Sequence, residues 1–198
     1  ANFAVILFCG LIVHSFLAEV VNLSPQLMQG NANYVKKTVF PLEILPVKVV
    51  LVSLFNHIVS LLILLIFISF SLGEILLTWI YYPLVMGAMV LLLLALSFLI
   101  SALGAYLKDL SYISGLATTL LLFLSPIFYP LSAIPEIYQP FILLNPLTFI
   151  IEQLRSVLIY GVAPDFLGLA IYYTAGLVVL YLSVALFNRV RVGFSDVL

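Results

Sequence analysis

Charge is scarce in this sequence. Of 198 residues only 8% are Asp, Glu, Lys or Arg, and the formal net charge is −1. Seven scattered Lys and Arg side chains cannot form the basic face that neutralises phosphates, so no nucleic-acid partner is expected. Cysteine is almost absent: Cys9 alone, set in an apolar run, excludes both a disulfide framework and a Cys-based metal site. No G-x-x-x-x-G-K-S/T occurs, so the chain does not bind nucleotide through a P-loop, and any energy from ATP must come from another chain. Neither H-E-x-x-H nor G-x-S-x-G occurs, which removes the simplest intramembrane protease and hydrolase readings. The start at Ala1 has neither a positive n-region nor a small-residue cleavage site, and the chain is expected to lack its native beginning.

What is abundant is apolar surface. With 65% hydrophobic residues and a mean hydropathy of +1.33, the chain reads as an all-α integral membrane protein forming a single domain over 1–198. A span needs about 20 apolar residues. Five runs meet that length, at 2–21, 49–72, 77–107, 110–131 and 167–187. If the 22–48 connection is cytoplasmic, then Lys36, Lys37, Lys48, Lys108, Arg189 and Arg191 all lie inside and only Arg155 lies outside, as positive-inside sorting prefers. Ala1 is then external, and at least one upstream span is expected.

The prolines are clustered. Five of the ten lie within 123–149, FLSPIFYPLSAIPEIYQPFILLNPLTF. Pro126 and Pro130 should stop the fourth run near the outer face, because each removes a backbone donor and clashes with the preceding turn. Pro135 and Pro140 break the next stretch, and NPLTFIIEQLRSVLIYG then reads as a short helix with Asn145 as N-cap, Pro146 at the first helical position and Gly161 beyond its end. Glu152 and Arg155 share a face of that helix at a spacing that lets them pair. The 132–166 region is thus read as an external re-entrant element, a lid or mouth; packing inertly on top of the bundle is the alternative.

In the 22–48 loop, Ser24 and Pro25 mark the start of one short amphipathic helix, with Leu27, Met28, Tyr34 and Val35 on one side. Such a helix lies on lipid or docks in a partner's groove. His14 and His57 lie inside spans, where ionisable residues are functional candidates; with no carboxylate beside either, neutral interhelical hydrogen bonding is the expectation. Glu19 reads as an interfacial carboxylate. Trp79, Tyr81, Tyr82, Tyr172 and Tyr173 fit an aromatic belt, whereas Tyr106, Tyr129 and Tyr138 adjoin breaks and are candidates to line a channel.

The succession NANYVKKTVFPLEILP, the Lys108–Asp109 turn, LSPIFYPLSAIPE and LNPLTFIIEQLRSVLIYG resembles the membrane subunit of type-2 ABC exporters of bacterial surface polysaccharides: O-antigen, capsule and teichoic acid. The resemblance covers essentially the whole chain. It implies six spans in a complete subunit, five of them here, a homodimer around a polysaccharide channel, and two ATPase subunits beneath carrying ATP and Mg, with no cofactor on this chain. It further implies a non-catalytic permease in the bacterial cytoplasmic (inner) membrane that moves a lipid-linked glycan. By the same resemblance Tyr34, Lys36, Lys37, Phe40, Pro41 and Glu43 fall at the cytoplasmic coupling helix. The external gate helices would hold Pro126, Tyr129, Pro130, Pro135, Asn145, Pro146, Glu152 and Arg155. A type-2 exporter of a drug or lipid, and a membrane transferase acting on lipid-linked sugars, are the competing readings; the second needs a catalytic cluster that the scattered carboxylates do not offer.

Overall fold

The computed structural model describes residues 3–35, 40–72, 76–129, 135, 137, 139–143 and 145–194, and every regular element among them is helical. Helix α1 (Phe3–Leu23) is followed by two single turns, α2 (Leu27–Gly30) and α3 (Ala32–Val35), and then by α4 (Ile44–Leu72). A 3-10 turn, Leu77–Tyr81, leads into α5 (Tyr82–Tyr106), which hands over to α6 (Leu110–Leu124). The short α7 (Gln139–Leu143) and α8 (Pro146–Leu158) precede α9 (Phe166–Val190), which closes with a 3-10 turn at Arg191–Gly193.

Among the described residues four helices are long and apolar enough to cross a bilayer: Phe3–Leu23, Ile44–Phe70, Leu77–Tyr106 and Phe166–Gly193. The run expected at 110–131 is different, because its helix ends at Leu124 after 15 residues. The stop has a local cause. Ser125 takes an extended conformation (φ −93°, ψ 150°), as the ring of the following Pro126 requires. At 1.5 Å per residue α6 is about 22 Å long, short of a hydrocarbon core of about 30 Å. Conversely α4 begins at Ile44, earlier than expected, since Pro46 falls in its first turn, where a missing N–H costs nothing.

Helix α1 is the hub, packing on α4, α5, α6 and α8, while α5 lies along α9. Val5, Cys9, Val13 and Phe16 of α1 meet Leu64 and Ile68 of α4, Met89 and Leu93 of α5, and Ile150 and Leu154 of α8 in one buried core. Outward faces stay apolar: Phe55, Ile63 and Ile66 on α4 and Leu177, Val178 and Leu182 on α9 are all exposed, as lipid contact permits. Both histidines bond between helices, as the sequence suggests. The His14 Nε2–H donates to Thr118 O of α6 at 2.9 Å. The His57 Nδ1–H donates to Ile12 O at 3.2 Å, its Nε2 accepts from the Tyr82 hydroxyl at 2.8 Å, and its ring stacks on Phe16.

The antiparallel course gives the bundle two distinct ends. One collects Leu23, α2, α3, Ile44, the α5–α6 turn and Arg191; the other collects Phe3, Trp79 and Phe166. Lys48, Lys108, Arg189 and Arg191, four of the five described cations, are at the first, and Arg155 lies toward the second.

Candidate functional site

At the basic end, the loop after α1 folds differently from the expected single helix. The Ser24 hydroxyl bonds back to Val20 O at 2.7 Å, so Ser24 finishes α1 rather than starting a new helix. The next turn starts at Leu27 and is interrupted at Gly30 and Asn31; the Asn31 amide donates to Leu27 O at 2.8 Å, closing α2 on itself. The Gly-Asn pair was the available signal, since both residues favour turns over helix interiors. The apolar side expected of the loop does exist. Met28 and Val35 are buried in a second core with Leu45, Phe98, Ala102, Ala105, Phe187 and Phe194, so the loop is seated on the ends of α5 and α9 rather than lying free on lipid.

Two contacts fix that seat. Gly104 of α5 passes so close to the loop that a Cβ there would lie 2.1 Å from Pro25 O, and the Gln29 side-chain amide donates to Gly104 O at 2.9 Å. Glu43 forms an ion pair with Arg191, joining the far end of the loop to the end of α9. Of the other residues assigned to coupling, Tyr34 packs its ring at a tilt against Phe40, centroids 4.8 Å apart, with nearly half its surface exposed, and Pro41 is exposed. Lys36 and Lys37 lie outside the described residues. Tyr106, a channel candidate, donates its hydroxyl to Val190 O at 2.8 Å and packs on Phe194, which ties α5 to the end of α9.

At the other end, α8 carries the geometry. Its N-cap forms as expected: the Asn145 Oδ1 accepts from Leu147 N at 2.9 Å, with Pro146 at the first helical position. Gly161 takes the left-handed conformation (φ +67°) just past the helix, the region that glycine tolerates. The carbonyls of Val157 and Leu158 close the buried C-terminal turn without helical partners, and Thr78 Oγ1 (2.6 Å) and the Trp79 indole N–H (3.1 Å) supply them. Trp79 is therefore a cap for α8 rather than a belt residue alone. The start of α8 lies deep: Pro146 lines a groove with Leu92, Tyr172 and Gly176, and the Tyr172 hydroxyl donates to Pro146 O at 3.2 Å. Leu92 is ten residues along α5 from Tyr82, about 15 Å down at helical rise. Helix α8 thus climbs from mid-depth of the bundle to its Trp79 end.

The broken end of α6 meets α8 at the same depth. The Ser125 hydroxyl donates to Leu121 O at 2.6 Å and accepts from the Asn145 side-chain amide at 2.8 Å. Arg155 is 1% exposed. Its Nη1–H donates to Glu152 Oε1 at 2.8 Å, as the spacing predicts, and its Nη2 donates to Ile127 O (3.0 Å) and Ile6 O (3.2 Å), which nothing in the sequence spacing indicates. Pro126 is buried, Pro135 is exposed, and Tyr129 places its hydroxyl 3.3 Å from Phe123 O. Pro130 and Tyr138 lie outside the described residues.

Apolar helices of spanning length, a basic end with a seated loop and a short helix returning from mid-depth define a multi-pass α-helical membrane protein. A family model described as ABC-2 type transporter matches residues 1–159, and the chain belongs to that family, whose members are non-catalytic membrane subunits of transporters. Along its whole length it is similar to the O-antigen export system permease protein RfbA of Klebsiella pneumoniae, at 25% identity over 198 residues covering 100% of this chain and 76% of that protein. The permease of the same name from Myxococcus xanthus is 25% identical over 199 residues, covering 98% of this chain and 76% of the relative.

Proposed function

We propose that this chain is the membrane subunit of an ATP-driven exporter that moves a lipid-linked surface polysaccharide out across a bacterial cytoplasmic membrane. The observation that carries the reading is the match to O-antigen export permeases along the entire chain. The geometry adds support at both ends. The seated loop, with Tyr34, Phe40, Pro41 and Glu43 around it, forms the surface for an ATPase subunit, and Lys36 and Lys37 are assigned to the same contact from the sequence alone. ATP and Mg are held by that partner, and this chain brings no cofactor. Because Gly104, Met28 and the Glu43–Arg191 pair fasten the loop to α5 and α9, a push from the ATPase reaches those spans directly.

Helix α6 makes the fifth crossing together with the segment after it. Helices α7 and α8 form the re-entrant outer gate, and two copies of the chain with two ATPase subunits enclose the path. Lipid-exposed irregular backbone is not tolerated at membrane depth, so the break at Ser125–Tyr129 must be buried by protein or line a water-filled path; its hydrogen bonds to Asn145 and Arg155 fit both demands. The test is genetic. Deleting the gene should trap glycan on its lipid carrier inside the cell and abolish surface glycan, with restoration by the wild-type gene only when an active ATPase partner is present. Unchanged surface glycan in the deletion strain contradicts the reading.

A further inference from the structure

We propose that Arg155 is the latch that holds the outer gate closed against α1, a role that rests on the export reading above. A guanidinium presents its donors in a planar fork, and here three different segments share it. Nη1 holds Glu152 on the same helix, while Nη2 divides its two hydrogens between Ile127 O, beyond the end of α6, and Ile6 O of α1. Nε is buried with no partner among the described residues, so the guanidinium is held by its two terminal nitrogens alone.

The bonds sort the elements into two bodies. Asn145 grips Ser125 at one end of α8, and Arg155 grips Ile127 toward the other, so α8 and the broken end of α6 form one clasped unit. Against α1 the same unit has the Arg155–Ile6 bond, and the surface it meets there is Gly10, where a Cβ would come 3.2 Å from Ile127 Cα and 3.4 Å from Arg155 Nη2. At that glycine Ile127 rests directly on α1, its Cα and its side-chain Cγ2 each 3.2 Å from where a Cβ would stand. Parting from α1 there breaks the Arg155–Ile6 bond and uncovers the core contacts of Ile150 and Leu154, while Thr78, Trp79 and Tyr172 keep α8 fastened to the Leu77–Tyr81 turn and to α9. Release is cheap in charge. Glu152 is one-third exposed and travels on α8 with Arg155, so separation exchanges the Ile6 carbonyl bond for water while the ion pair and the Ile127 bond stay intact. A purely structural arginine would bind its helix to a fixed neighbour; this one bridges the clasped unit to the helix from which a gate must part.

Two experiments judge the latch, both on the permease co-expressed with its ATPase. In a Cys9→Ala background, Gly10→Cys with Ile127→Cys places two thiols where a disulfide can form. Oxidation should reduce surface glycan at least tenfold and reduction should restore it, with ATPase copurification unchanged; complete cross-linking with undiminished export overturns the latch. Arg155→Lys keeps the charge but cannot span three acceptors. In proteoliposomes of the purified complex without glycan, it should leak a small fluorescent anion at least tenfold faster than wild type, whereas Gly115→Ala, at a helical glycine with open space around its Cβ, should stay within threefold. Equal tightness of Arg155→Lys and wild type overturns the proposal. The leak assay needs no glycan, so failure of the export reading, seen as surface glycan independent of the wild-type chain, is told apart from failure of the latch.

Discussion

Gly104→Ala is the smallest change that should uncouple this permease from its motor. The glycine sits in α5 where the loop after α1 crosses it, and an added Cβ would stand 2.1 Å from Pro25 O and 2.7 Å from Pro25 Cα. Both are backbone atoms, so no side chain can rotate out of the way. Ordinary contact begins at 3.4 Å, so the loop or the helix must retreat by about 1.3 Å. Such overpacking typically costs about 1–3 kcal/mol. The displacement also stretches the Gln29–Gly104 bond from 2.9 Å beyond hydrogen-bonding range, which is worth about 1 kcal/mol more. The loss falls on the seat of the loop at one end of α1, while Val5, Cys9 and Val13 of the main core lie toward the other end. Gly104→Ala should therefore insert and fold, with a modest drop in thermal stability, but retain less ATPase on copurification and export several-fold less glycan. Gly115→Ala, at a helical glycine with open space around its Cβ, serves as the control and should change nothing. If Gly104→Ala binds ATPase and exports as wild type, the close approach is not what seats the loop.

Charge reversal at Lys36 and Lys37 to Glu should weaken ATPase association while leaving membrane insertion intact; copurification at the wild-type level with normal export refutes the docking surface. Cysteines replacing Gly30 and Ile137 in a Cys9→Ala background should be labelled from the cytoplasm and from outside respectively, and the reverse pattern overturns the orientation and the gate with it. Pro126→Ala should let α6 run on, since a proline in a helix interior costs about 3 kcal/mol relative to alanine. That extension pulls Ile127 away from Arg155, so export should fall or small ions leak while ATPase binding persists; a tight membrane with full export means the proline only shapes a cover.

Local chemistry was legible in the sequence and long-range chemistry was not. The break after Leu124 follows from the constraint Pro126 places on Ser125, and the start of α8 follows from an Asn-Pro pair; both causes sit within two residues of their effect. The Glu152–Arg155 pair follows from helical spacing in the same way. By contrast, Arg155 finds Ile6 O across 149 positions, and Gly104 meets Pro25 through packing that no spacing encodes. Thr78 and Trp79 capping the end of α8 belong with these, since the orphan carbonyls of a buried helix end predict that some donor is needed but not which one. The loop after α1 departs from expectation for another reason. Its apolar positions fit one continuous helix, and the turn-forming Gly30–Asn31 pair outweighs them once Met28 has its own pocket against α5.

Transport of a lipid-linked glycan, driven by a partner's ATP hydrolysis, is best judged by reconstitution. The permease and its ATPase are placed in sealed vesicles loaded with the native lipid-linked glycan, and glycan exposure is followed on the side opposite the ATPase. Exposure should require ATP and Mg, cease with an ATPase unable to hydrolyse, and be lost in vesicles lacking this chain. Exposure at the same rate without ATP, or none from an assembled and hydrolysing complex, would show that this chain is not the conduit of an ATP-driven glycan exporter.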